Sequence, residues 1–216
     1  MTAENKKFDD AVEYMRDQIR QQIAAGFDEI DRITESAIEV AAVDGVDTTS
    51  LEPIAKRFTH ELLEEHFRTQ SEWPDRTDCD RLDEAFDELE EKGIVCRQNF
   101  ACCGTCGSAE IWDEMRATRD RGKTVRGYAF YHMQDTDSAV DGGGLYLGYG
   151  ATEEGEEAAL TVARDVISVL NAHGLETDWN GNWNTRIGVS LDWKRRRPVI
   201  RFGCHQPSRG LLDDIE

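Results

Sequence analysis

The chain is 216 residues long, with 25 lysines and arginines against 44 aspartates and glutamates, a net charge of -19. A field of that sign repels phosphate backbones and anionic bilayers, so neither nucleic acid nor a membrane surface is expected as a partner. Hydrophobic residues at 39% suffice for a core, and no apolar run approaches the about 18 residues of a membrane span.

The opening stretch MTAENKKFDD has no apolar segment of the kind a secretory signal carries, which predicts a cytoplasmic protein. Thiols stay reduced there, so the six cysteines are not expected to form a disulfide framework.

Phe8, Val12, Met15, Ile19 and Ile23 recur at steps of three or four and share one helical stripe, which Gly26 ends. Ile30, Ile33, Ala37 and Ala41 repeat the pattern. Leu51, Ile54, Phe58 and Leu62 form a third stripe, with Pro53 tolerated in its first turn. Three amphipathic helices predict a helical subdomain over residues 1–75. Pro74 then breaks the pattern and Thr77 or Asp78 offers the next N-cap. Leu82, Ala85, Phe86 and Leu89 mark a fourth helix, with Gly93 as its left-handed stop and GIVCR turning into a strand.

Residues 76–216 read as an α+β domain. A helix is predicted over 108–121, followed by RGYAFYHM, in which Tyr128, Phe130 and His132 alternate with Ala129, Tyr131 and Met133. A short helix capped at Asp135 or Thr136 leads to the strand GGGLYLGYG. A long helix follows at about 153–172, its inward positions Ala159, Val162, Val166 and Leu170. LETDW and RIGVSLDW are strands hinged by NGN, and PVIRF closes the chain as another. Strand, helix, strand, strand, helix, strand from 94 to 179 matches a ferredoxin-like split βαβ sheet, with an added C-terminal hairpin over 186–203.

The chemistry concentrates in NFACCGTCGSAE, residues 99–110, where Cys102, Cys103 and Cys106 fall within five positions. Cys103 and Cys106 have the CxxC spacing of half a zinc site, and Cys102 adds a third thiolate. Completing a tetrahedron falls to His132, Cys204, His205, Cys79 or Cys96, none of them marked by spacing. A helix starting near Ser108 would also stabilise a thiolate on Cys103 or Cys106. His132 is then the natural base for a nucleophile, with Asp135 or Gln134 to orient it. Against both stands packing, since cysteine is among the most buried residue types and Gly104 and Gly107 flank the block. That plain reading carries the greatest weight in the sequence.

The glycine-rich strand lacks the GxGxxG spacing and does not open a helix, so its glycines are expected to serve a turn and close backbone approach. Lys194–Arg197 is the basic run, and it is expected to pair with the chain's own acidic helices rather than with a bound anion. Trp179 and Trp183 around NGN are expected to pack at the sheet rim. Asp83, Glu84, Asp87, Glu88, Glu90 and Glu91 would meet DNA with negative charge, which excludes a winged-helix role for the fourth helix.

WPDRTDCDRLDEAFDELEEKGIV running into RQNFACCGTCGSAEI, and then GYAFYHMQDTDSAVDGGGLYLGYG, resemble a family of prokaryotic proteins of unknown function over nearly the whole chain. The resemblance implies no activity, substrate or catalytic residue. A complete catalytic or metal constellation is missing from the sequence. The leading expectation is therefore a cytoplasmic, non-catalytic regulatory or binding module for a protein or small molecule, without a cofactor. The competing ones are a thiol-dependent enzyme or redox protein using Cys103, Cys106, His132 and Asp135, and a zinc protein holding the ion on Cys102, Cys103 and Cys106.

Overall fold

The structure is a computed structural model that describes residues 3–198 apart from Asp44. In chain order the elements are α1 (Ala3–Ala25), α2 (Ile30–Ala41), α3 (Thr48–Gln70), α4 (Asp78–Glu91), β1 (Ile94–Arg97) and α5 (Gly104–Asp120). They continue with β2 (Gly127–Phe130), α6 (Met133–Val140), β3 (Leu145–Ala151), α7 (Glu156–Ala172), β4 (Glu176–Asp178) and β5 (Ile187–Ser190). Among the described residues no helix is long and apolar enough to cross a membrane.

The stripes of α1 to α3 meet each other: Met15, Ile19, Ile33, Leu51 and Ala55 are fully or almost fully buried in one cluster. Asp47 caps α3 through the amides of Thr49 and Ser50. Thr77 caps α4 in a reciprocal box with Asp80, satisfying N–H groups that the helix leaves orphaned.

The five strands form one mixed sheet in the order β1-β2-β3-β5-β4. β1 and β2 are parallel direct neighbours, Ile94 opposite Gly127, and the other pairings are antiparallel. The α+β expectation holds, but a ferredoxin-like split unit needs another strand between the two parallel ones, and here the β1-α5-β2 crossover is unsplit. The sequence order alone does not distinguish these, because neighbour choice is set by pairing across the sheet and not by periodicity.

The period-2 pattern sorts residues between two layers. Ile94, Cys96, Ala129, Leu145, Leu147, Ile187 and Val189 face α4 and α7 in the main core. Val95 and Phe130 face Ile111 and Met115 of α5 on the other side. The glycines of β3 allow aromatic rings to lie flat on the sheet: a Cβ at Gly150 would stand 2.6 Å from the Tyr128 ring.

The hinge between β4 and β5 is present. The second arm of the hairpin expected over 186–203 is not described as a strand: residues 191–198 are irregular, and the rest of PVIRF lies outside the described residues. Residues 193–197 strap the helices to the sheet instead. Arg195 donates to Asp83 and Gln98 at 2.7 and 2.6 Å, its guanidinium lying 4.5 Å over the Phe27 ring. Arg196 pairs with Asp80 at 2.6 Å. Arg197, buried, donates to the carbonyls of Gln22, Ile23 and Asp28 at 2.7, 2.7 and 2.8 Å. The basic run thus caps the carbonyl end of α1 and neutralises α4, as its charge pattern predicts.

Candidate functional site

The cysteine block lies at the joint between β1 and α5. Between them, Asn99 (φ 50) and Ala101 (φ 58) adopt left-handed backbone without being glycine. Each costs about 1–2 kcal/mol, so neighbouring contacts must hold them in place. The Phe100 amide donates to the Tyr131 carbonyl at 2.8 Å, and the Met133 amide to the Ala101 carbonyl at 3.1 Å. Thr136 Oγ1 donates to Asn99 Oδ1 at 2.8 Å, and Tyr131 Oη to Gln98 Oε1 at 2.7 Å. The loop is thereby docked along residues 131–136, and its two turns lead the chain into the cysteines.

α5 starts at Gly104, four residues before the expected Ser108, because Cys103 in extended geometry (φ -156, ψ 170) already serves as its N-cap. Cys106 accordingly sits inside the first turn. One glycine, Gly107, is required for the first turn to pack this closely. A Cβ at Gly107 would lie 2.5 Å from the Phe130 ring, and Gly104 faces the His132 imidazole at ordinary contact distance. The helix N-terminus therefore sits directly against the end of β2.

The three sulfurs converge: Cys102, Cys103 and Cys106 place their Sγ atoms within 4.8 Å of one another, a group that could hold a metal ion. Cys102 Sγ donates to Cys106 Sγ at 3.5 Å. Cys102 is exposed and the other two are half-buried, against the expectation of three packed side chains, whereas Cys79 and Cys96 are buried. The αL turns lift the block away from the core, so small size does not translate into burial.

The Cys103 thiol makes no hydrogen bond close enough to count as a cap. The Cys106 amide and thiol, then the Thr105 amide and the Cys102 thiol, nevertheless hold its pKa below the ordinary value. The neighbouring Cys102 and Cys103 sulfurs push Cys106 up to about 11. Burial pushes Cys79 up to about 12 and Cys96 well above the ordinary thiol range. A cluster at a helix N-terminus thus loses its first proton readily, and its later ones with more difficulty.

His132 and Asp135 lie beside this cluster, in a different arrangement from the one expected. His132, not Asp135 or Thr136, is the N-cap of α6: its Nδ1 accepts from the Asp135 amide at 3.3 Å, and Asp135 Oδ2 accepts from the His132 amide at 3.0 Å. Histidine can cap in this way through an unprotonated Nδ1, and the same nitrogen lies 3.1 Å from Asp135 Oδ2. Arg186, which the sequence did not single out, closes the group. Its Nη2 donates to Asp135 Oδ2 at 2.5 Å and to the Tyr146 carbonyl, and its Nη1 lies 3.5 Å from His132 Nε2. Burial lowers the His132 pKa, with Asp135 opposing and Arg186 reinforcing the shift. Gln134 is exposed.

Of the zinc ligands considered from sequence, Cys79 and Cys96 are core residues, and Cys204 and His205 lie outside the described residues. Trp179 packs against Tyr149 and donates to the Thr185 carbonyl, while Trp183 is half exposed.

No curated protein and no solved structure matches this sequence. A family described as a domain of unknown function, DUF6891, matches residues 9–197, and the chain belongs to that family.

Proposed function

We propose that this protein is a non-catalytic binding module whose ligand is a soft metal ion held by the thiolates of Cys102, Cys103 and Cys106, zinc being the ion expected first. The observation that supports this most directly is the convergence of three accessible sulfurs on a loop held in place by left-handed turns. Thiolate is the ligand such ions prefer, and a preformed site lowers the ordering cost of binding. The helix N-terminus favours the negative charge that an ionised thiol set carries. Reduced thiols of this kind belong in the cytoplasm, and the net charge of -19 leaves nucleic acid and membrane out of the scheme. In this reading residues 1–75 form a helical unit and 76–216 carry the site.

The test is metal analysis of protein made without a polyhistidine tag and kept reduced. About one equivalent of zinc, or of cadmium with its thiolate charge-transfer band, is expected per chain. Less than about a tenth of an equivalent for both would end the proposal.

A second reading is thiol–disulfide chemistry. The Cys103 and Cys106 sulfurs lie within 4.8 Å of each other, and side-chain rotation has to close that gap to a bond of about 2.05 Å. Here the Cys103 thiolate, favoured by the Cys106 and Thr105 amides and the neighbouring thiols, attacks a disulfide substrate and releases one of its sulfurs as thiol, and Cys106 resolves the mixed disulfide, releasing the other. Turnover of a small disulfide with dithiothreitol supplied as the reductant, faster than dithiothreitol alone, would favour it, and stoichiometric reaction at the rate of free thiols would exclude it.

A further inference from the structure

We propose that Cys102, Cys103 and Cys106 form a three-coordinate site for a trivalent thiophilic metalloid, of which arsenite is the probe. The proposal rests on the ion-binding reading above and narrows its class of ligand.

The number and convergence of the sulfurs carry the argument. Cys102, Cys103 and Cys106 place three sulfurs within 4.8 Å of one another, and among the described residues no fourth histidine, cysteine or carboxylate joins the group. A structural zinc site takes four ligands, whereas three thiolates alone suit a pyramidal centre carrying a lone pair, the geometry of a trivalent group-15 ion. Cys102 and Cys106 already touch at 3.5 Å, so small side-chain movements bring the three sulfurs onto one ion. Nearby, His132 is committed elsewhere: its Nδ1 caps α6, and Arg186 lies against its Nε2. The exposed side of Cys102 leaves the apex open to water for the departing groups.

The chemistry balances without an oxidant. Three S–H bonds and three As–OH bonds break, three As–S bonds form, and three waters leave. Arsenic stays trivalent and every sulfur stays at the thiol level.

The full chain, carrying C204S so that the cysteine outside the described residues does not contribute, is reduced, freed of metal and titrated separately with arsenite and zinc. The expected result is one arsenite per chain, an intact mass higher by one arsenic less three hydrogens, and protection of all three loop cysteines from alkylation. Each of C102S, C103S and C106S is expected to weaken arsenite by about tenfold or more, while H205A leaves it unchanged. Protection from alkylation needs no further loop variant, so a variant that misfolds does not decide the test. Zinc binding without competitive arsenite binding overturns the metalloid proposal and leaves the ion-binding reading standing. Arsenite that protects only two of the cysteines, or a loss of arsenite in H205A, overturns three-coordination by this set. Failure of both ions overturns both readings.

Discussion

Asp135→Ala removes the residue that links the α6 cap to the sheet. Asp135 is 5% exposed and accepts from the His132 amide and from Arg186. Losing its half of the capping box costs about 1 kcal/mol. The charge-assisted bond to Arg186 would add about 2 kcal/mol if enclosed, but the Arg186 side chain is 38% exposed, so solvent screening brings it nearer about 1 kcal/mol. The expected loss is therefore about 2 kcal/mol, or about 4–8 °C in Tm for a chain of this size. Asp135→Asn keeps an acceptor for the His132 amide and is expected to lose about half as much. Urea unfolding followed by far-UV circular dichroism measures both. The same variants should speed alkylation of the loop cysteines, because the first residue of α6, Met133, holds Ala101 by its amide. A loss below about 0.5 kcal/mol in Asp135→Ala, together with unchanged alkylation, would refute the coupling.

His132→Asn should retain the α6 cap, while His132→Ala should lose about 1 kcal/mol; slowed cysteine alkylation in the asparagine variant would instead show His132 acting as a base. His132 and His66 both have pKa values lowered chiefly by burial, so the unfolded chain takes up protons first. Stability should then fall as pH drops below the ordinary value of 6.5, and a pH series on His132→Asn should show a shallower decline. Iodoacetamide applied to the folded protein should label Cys102, Cys103 and Cys106 while sparing Cys79 and Cys96, as peptide mapping would report; early labelling of Cys96 would contradict its burial. Arg197→Ala removes a donor from three α1 and post-α1 carbonyls, of which Gln22 keeps the Gly26 amide, and is expected to cost about 2 kcal/mol by thermal unfolding, with Arg197→Lys recovering only part because its ammonium cannot fork across all three.

The helices were legible because each buries a stripe, and Met15, Ile19, Leu82 and Val166 sit where that spacing put them. The first strand was legible as an apolar run directly after the Gly93 stop, and its successive residues Val95 and Cys96 enter different cores. The start of α5 was misplaced, since a cysteine cap lies outside the preferred serine, threonine, aspartate and asparagine set and GTCG reads as a loop. His132 as a helix cap was missed for the same reason. Arg186 gave no signal at all, because a charged residue at the start of a strand looks like any other solvated one.

By itself the sequence determined which segments are helix and which are strand, the α+β class, and the block of residues where chemistry gathers. Those are local properties, governed by the period of hydrophobic burial and by residue type. Tertiary structure decided the order of strands, the strap of arginines across α1 and α4, and the exposure of the thiols. Each depends on contacts between residues distant in sequence: the Ala101 turn is held by Met133, and Asp135 is held by Arg186. A cysteine triplet reads the same in sequence whether packed or presented, and here two left-handed residues and the chain that holds them turn it outward.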